Sequence, residues 1–360
     1  MLTRDATSVS TVHPPTMQAG ILYGREDVRV EEVAIPEVGP GEVLLKVEAA
    51  LTCGTDVKVY RRGYHAKMIV PPAVFGHEVS GVVAKVGDSV QGFKPGDRVM
   101  AANSAPCDHC YYCKRGLLSL CENLLFINGA YAEYMLIRER IVRKNMLHLP
   151  DSVTFAEAAL VEPLSCALKG VEDTGVRPGE TVLILGAGPL GLMLARLCHL
   201  SGARTLVAGK RPARLALAEQ LGASAVFDVD RTPDLATAVL GMTENRGPER
   251  VIEAVGRPEA WETAIDLVGK HGTVNLFGGC PSDSVASLPT AKMHYQELTL
   301  TASFHHTPRH VREALELVAS CKFPAASLIS DRRPLSSLPQ VLAELAAGRD
   351  TVKTLITPGA

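Results

Sequence analysis

Long apolar runs are missing from this chain, and no stretch reaches the roughly 18 residues that a membrane-spanning helix needs. The N-terminal segment MLTRDATSVSTVHPPT also lacks the apolar centre of a secretory signal, so residues 1–16 read as a flexible polar extension. Charge of one sign is absent too. Lys and Arg number 37 against 39 Asp and Glu, a formal net charge of −2, which removes any broad electrostatic case for nucleic acid or an anionic membrane surface. There is no internal repeat and no further low-complexity tract. A cytosolic protein acting on a small molecule is the expectation. The 360 residues, 46% of them hydrophobic and 21% charged, suit a soluble globular chain too long for one ordinary core, hence two domains.

A disulfide framework is also lacking, because the nine cysteines are odd in number and unevenly placed. Four crowd between Cys107 and Cys121, while Cys53, Cys166, Cys198, Cys280 and Cys321 are scattered. Metal binding is the better starting point.

From about Ala19 to Lys144 the chain is Val-rich, with short runs such as VLLKVEAA, SGVVAKVG and GDRVMAA cut by Pro-Gly and Gly-Asp signals. That pattern predicts an antiparallel, barrel-like β domain. From about Thr154 to Ser303, TVLILG, RTLVAG, AVFDV, RVIEAVG and GTVNLFGG alternate with helical stretches such as LGLMLARLCHLSG and ARLALAEQLG. Repeated β-then-α units imply an α/β domain built on a doubly wound parallel sheet. After Phe304 come a helical stretch, VREALELVAS, and a final run that reads as a strand returning to the first domain. The expected division is 17–156 with 305–360, around a cofactor domain at 157–304.

Cys107, Cys110, Cys113 and Cys121 form C-x2-C-x2-C-x7-C. Two-residue gaps let a tight loop aim successive thiolates at one point, and four sulfurs close a tetrahedron with no open position, as in structural zinc sites. A four-cysteine set can also hold iron, but the spacing favours zinc in a lobe at about 103–124. Lys114 and Arg115 stand ready to offset part of the thiolate charge.

Cys53 in CGTD, and His77 and Glu78 in FGHEVSG, each sit at a predicted strand end beside glycine; Glu162 lies in VEPLSCALKG, where the texture changes. A thiolate, an imidazole and one carboxylate leave a zinc with an open position. A cation there makes an alcohol proton easier to lose and readies its carbon to release hydride to a nicotinamide. The residues alone do not choose between Glu78 and Glu162, and Cys166 is a lesser rival. Thr55 can pass the alcohol proton outward or serve as a turn hydroxyl. Asp56 orients the imidazole or caps a helix.

TVLILGAGPLG places Gly186, Gly188 and Gly191 as G-x-G-x-x-G between a strand and a helix, with Pro189 and Leu190 opening the helix. The first glycine makes the turn, the second admits a pyrophosphate, and the third lets helix and strand pack. A reader of NAD usually carries an acid at the next strand end, to bind the ribose hydroxyls. Here that place is Gly209, followed by Lys210, Arg211 and then Arg214. No carboxylate repels a 2′-phosphate there and cations stand ready for one, so NADP is expected over NAD.

Taken together, CGTD, GHEVSG, the four-cysteine lobe, VEPLSCALKG and GAGPLG resemble the medium-chain zinc-dependent dehydrogenases from about Met17 to Pro358. The resemblance implies a GroES-like β-barrel catalytic domain with a Rossmann domain, two zincs per chain, and homodimers or homotetramers. Its VEP segment is similar to the sorbitol and threonine dehydrogenase branch, which implies Cys53, His77 and Glu162 as catalytic zinc positions with Glu78 as neighbour or alternate. Val255, Gly256, Phe277, Gly278 and Phe304 are then expected beside the nicotinamide, and Tyr60, Phe126, His305 and His306 around the substrate. Lys58 departs from the ethanol-type pattern, which carries a relay histidine at this place, and His305 falls where polyol enzymes of the branch often carry arginine. The expected reaction interconverts a secondary alcohol, a polyol or sugar derivative, with a ketone. The alternatives are a threonine-type or simple secondary alcohol dehydrogenase and, outside that class, a non-catalytic NADP-binding regulatory protein.

Overall fold

The computed structural model describes residues 15–65 and 68–359. Residues 1–14 of the expected extension lie outside the described residues, and Thr16 opens the first strand, Thr16–Gly24.

The Val-rich half folds around the strand Val43–Leu51, which pairs antiparallel with Glu78–Val86, Tyr134–Ile137 and the C-terminal strand Lys353–Thr357. Neighbours on both edges and packing on both faces explain why its sequence, VLLKVEAAL, is almost wholly apolar. The C-terminal run thus enters the sheet of the first 150 residues, with Leu355 opposite Leu51 and Ile356 opposite Ala50.

The second sheet has six strands, all parallel, in the order Ala225–Asp228, Arg204–Gly209, Thr181–Leu185, Arg250–Glu253, Thr273–Leu276, Thr299–Thr301. This is a Rossmann fold beside a GroES-like barrel. The strands run outward in one direction from Thr181–Leu185 and in the other from Arg250–Glu253, so the order reverses between these two and a crevice opens at their carboxyl ends, where such folds bind ligands. The sixth strand is only three residues long and half-buried, too short for period-two alternation to announce it.

A single apolar cluster joins the two parts. It runs from Leu51 and Met100 of the barrel through Leu160 and Leu164 to Ile184 of the parallel sheet and Leu194 of the helix Pro189–Leu200 that follows it. The helix Val161–Thr174 threads this cluster, and its Gly170 leaves room for the Phe277 ring, 2.7 Å from where a Cβ would stand.

Gly191 allows the closest approach in the fold. A Cβ there would lie 1.8 Å from the Gly186 carbonyl oxygen, while Gly186 itself has φ +111, open to glycine. Gly191→Ala is expected to destabilise the chain by about 1–3 kcal/mol or more through overpacking. Thermal denaturation checks this, and an unchanged Tm contradicts it.

Candidate active site

Cys53 is the N-cap of the helix Gly54–Arg62, with extended backbone (φ −124, ψ 155), and its sulfur accepts the Thr55 amide at 3.5 Å. Asp56 closes the capping box by accepting the Cys53 amide at 2.8 Å. The buried Tyr131 hydroxyl donates to that same oxygen at 2.6 Å, and the other carboxylate oxygen lies 3.3 Å from Nδ1 of His77. Asp56 is thus the helix cap expected from the sequence, and its carboxylate also stands beside the His77 ring. Engaging Nδ1 leaves Nε2 as the nitrogen available to a metal.

His77 ends a turn whose positive-φ Gly76 presses on the Tyr131 ring, and Glu78 starts the strand beneath it. Ligand atoms of Cys53, His77 and Glu78 all lie within 4.8 Å of one another. Burial raises the Cys53 thiol pKa, but the hydrogen bond to His77 and the nearby charge of Lys353 outweigh it, leaving it lowered to about 7. Burial works against a charged His77, while the Asp56 carboxylate holds its pKa well above the ordinary value. A thiolate, a histidine and a carboxylate at this spacing are a donor set that fits zinc.

Lys353, absent from the sequence-based site, is the residue beneath this trio. Its ammonium bonds both carboxylate oxygens of Glu78, and both side chains are buried. Burial lowers the lysine pKa, but the charge of Glu78 reverses the sign and Lys353 stays protonated. A lone lysine in the apolar run VKTLIT was the available signal.

Glu162 occupies the first turn of Val161–Thr174 and groups with Cys166 and His305 instead of with the first trio. Burial raises its pKa to about 7. Its Oε1 lies 3.6 Å from Nε2 of His306, a ring whose two nitrogens have no hydrogen-bond partner among the described residues and whose pKa burial drives well down. Glu162 is thus a buried carboxylate with no lysine or arginine bonded to it among the described residues, an environment that favours a cation.

Cys53, His77, Glu162 and Cys166 border one cleft of about 700 Å³, lined also by Thr55, Leu190, Phe126, Phe304 and His305. His305, in a left-handed conformation (φ +61), touches the Ser104 hydroxyl, and burial lowers its pKa to about 3. Two expected pocket residues lie elsewhere. Tyr60 falls on the same helical face as Asp56 and packs into the barrel core, while His306 is buried behind Glu162. Lys58 reaches across the cleft to donate to the Gly279 carbonyl at 3.2 Å.

The opposing wall carries the dinucleotide motif. Gly188 caps the helix Pro189–Leu200 with nothing within 4 Å of its would-be Cβ, so that side is open to a phosphate at the helix N-terminus. Glu253, another residue not picked out from the sequence, accepts the amides of Val255 and Gly256 at 2.6 and 2.8 Å and shapes that turn. Phe277 lines the cleft, and Gly278 donates to the Glu253 carbonyl at 2.8 Å. At the far end Lys210 pairs with Asp230, while Arg211 and Arg214 turn to the segment 348–351. In the lobe, the four sulfurs of Cys107, Cys110, Cys113 and Cys121 also lie within 4.8 Å of one another, a second set that fits zinc. Arg115 there stacks on Tyr111, 3.6 Å from the ring centre.

A dinucleotide cradle facing a thiolate–imidazole–carboxylate pocket across one cleft defines a nicotinamide-linked oxidoreductase. Residues 39–151 match the alcohol dehydrogenase GroES-like domain and residues 189–320 the zinc-binding dehydrogenase domain. The sorbitol dehydrogenase of Bacillus subtilis (strain 168) is 30% identical over 353 residues, covering 96% of this chain and 98% of the relative. The probable D-xylulose reductase A of Aspergillus clavatus is 33% identical over 362 residues, covering 98% of each. Among solved structures, a zinc-binding dehydrogenase from Sinorhizobium meliloti 1021 bound to NADP has a TM-score of 0.89 at 32% identity, covering 96% of this chain and 100% of that one. The chain belongs to the medium-chain zinc-dependent alcohol dehydrogenase family. It is an NAD(P)-linked oxidoreductase of alcohols, and no helix among the described residues is long and apolar enough to cross a membrane.

Removing Lys353 leaves the Glu78 carboxylate buried without its cation. Lys353→Met is expected to destabilise the zinc-loaded protein by about 3–5 kcal/mol, and Lys353→Met/Glu78→Gln to recover part of that loss. Urea denaturation measures both; a Lys353→Met midpoint equal to that of the parent rules out the pair as a structural tie.

Proposed function

We propose that the chain oxidises a secondary hydroxyl of a polyol or sugar derivative to the ketone, preferring NADP as hydride acceptor. The observation that carries this is the single cleft with Cys53, His77 and Glu162 on one side and the glycine-rich turn on the other. The names of the two relatives, a sorbitol dehydrogenase and a D-xylulose reductase, support the polyol class. Working units are a catalytic domain of 17–156 with 305–360 and a cofactor domain of 157–304, in a cytosolic dimer or tetramer, as the family resemblance implies.

When bound, zinc supplies a Lewis acid that acidifies the alcohol, and the nicotinamide accepts its hydride. Cys53 and His77 would hold that zinc, with Asp56 fixing the imidazole from behind. Glu162, buried with no lysine or arginine bonded to it among the described residues, is our third ligand, because Lys353 already occupies Glu78. Thr55 accepts the alcohol proton and passes it outward along the cleft. Phe126 and His305 shape the substrate side; a neutral His305 can donate or accept a hydrogen bond but carries no charge. Cys107, Cys110, Cys113 and Cys121 would hold a second, structural zinc.

For NADP, the end of the strand Arg204–Gly209 is the supporting feature. A Cβ at Gly209 would stand 2.5 Å from the Ala187 Cβ, so no acidic side chain fits where ribose hydroxyls are usually bound. A neighbouring fold bound to NADP points the same way.

Metal analysis is expected to find about two zincs per chain, falling to about one in Cys53→Ser with the fold retained and turnover lost. One zinc in the parent, or turnover in the variant, refutes the metal assignment. In a screen over sugar alcohols, threonine and simple secondary alcohols, kcat/KM should be highest with a sugar alcohol and with NADP. A strong preference for NAD sinks the cofactor reading, and threonine as best substrate sinks the polyol reading.

A further inference from the structure

The cations at the adenosine end of the cradle already have partners, and the partner they share is informative. Arg211 donates to the Gly348 carbonyl at 2.7 Å, the Arg349 carbonyl at 3.0 Å and the Asp350 carboxylate at 3.1 Å. Arg214 donates to the same Asp350 oxygen at 3.0 Å and to the Thr351 carbonyl at 2.6 Å. Asp350 is the one carboxylate that both guanidinium groups touch among the described residues. Arg211 sits at φ +75, a left-handed value disfavoured for any residue but glycine, and these acceptors compensate for it. Lys210 is held separately, by Asp230 at 2.6 Å.

Asp350 is 44% exposed in its side chain, so an incoming ligand can reach the cluster. A phosphate monoester carries close to two negative charges and three acceptor oxygens, against one charge and two oxygens for a carboxylate. We propose that Asp350 is a cofactor-specificity determinant that works by competition. Without cofactor it occupies Arg211 and Arg214, and the 2′-phosphate of NADP must displace it. NAD carries a neutral hydroxyl at that place and leaves the pairs intact. Asp350 therefore sets NADP affinity below what the two arginines alone would give, and NADP binding releases the segment 348–351. That segment leads directly into Lys353, which holds Glu78, so the adenosine end and the metal pocket share one short stretch of chain. The proposal rests on the NADP reading above.

The test is calorimetric titration of zinc-loaded parent, Asp350→Asn, Asp350→Ala, Asp350→Glu and Arg211→Ala with NADPH, NADH and adenosine 2′,5′-bisphosphate. Loss of the charge in Asp350→Asn and Asp350→Ala should lower the dissociation constants of NADPH and the bisphosphate about threefold to tenfold, with NADH changed less than about twofold. Asp350→Glu should return NADPH close to the parent value. If the parent favours NADPH but both neutral variants bind it no tighter, the competition is refuted while the NADP reading stands. If the parent does not favour NADPH and Arg211→Ala leaves its affinity unchanged, the NADP reading fails and this inference falls with it.

Discussion

A buried ion pair between residues 275 positions apart in the chain ties the candidate site to the end of the fold. Lys353 lies on the C-terminal strand and Glu78 on the strand beside the central one, and their charges meet under Cys53 and His77. Two desolvated charges are costly to bury and costlier to separate, so each holds the other's strand in register. With the His77 hydrogen bond, the Lys353 ammonium also favours the thiolate form of Cys53. One interaction thus closes the barrel and sets the electrostatics of its pocket.

The join between the two halves depends on the helix Val161–Thr174. Its first turn presents Glu162, while further along Gly170 nests against Phe277 of the dinucleotide half. Because the same apolar cluster runs through both halves, the distance between carboxylate and glycine-rich turn is set by core packing more than by surface loops. Lys58 adds a polar tie across the mouth, bonding the Gly279 carbonyl. An ethanol-type enzyme of this family would carry a relay histidine there; in this chain the position joins the two walls instead.

Charge is deployed differently at the two ends of the cleft. Around Cys53 and His77, burial and neighbouring charge displace the pKa values of Glu162, His77 and His305 from their ordinary range. At the adenosine end, partly buried arginines are balanced by a more exposed aspartate from the other part of the chain. Buried partners hold their geometry, whereas exposed ones can be exchanged for a ligand.

Spacing alone determined much of this protein. The C-x2-C-x2-C-x7-C lobe, the G-x-G-x-x-G turn and the alternating strands were legible because each is a local pattern whose geometry follows from neighbours in sequence. The parallel, doubly wound sheet and the return of the last strand were legible from the alternating units, but the strand order was not, and Thr299–Thr301 is too short to carry a period. Tertiary structure decided what local pattern cannot encode. It turned Tyr60 into the core and His306 behind Glu162, paired Glu78 with Lys353, and gave Arg211 and Arg214 to Asp350. Each of these depends on which distant segment supplies the opposing charge or surface, and that is set only once the two sheets have packed.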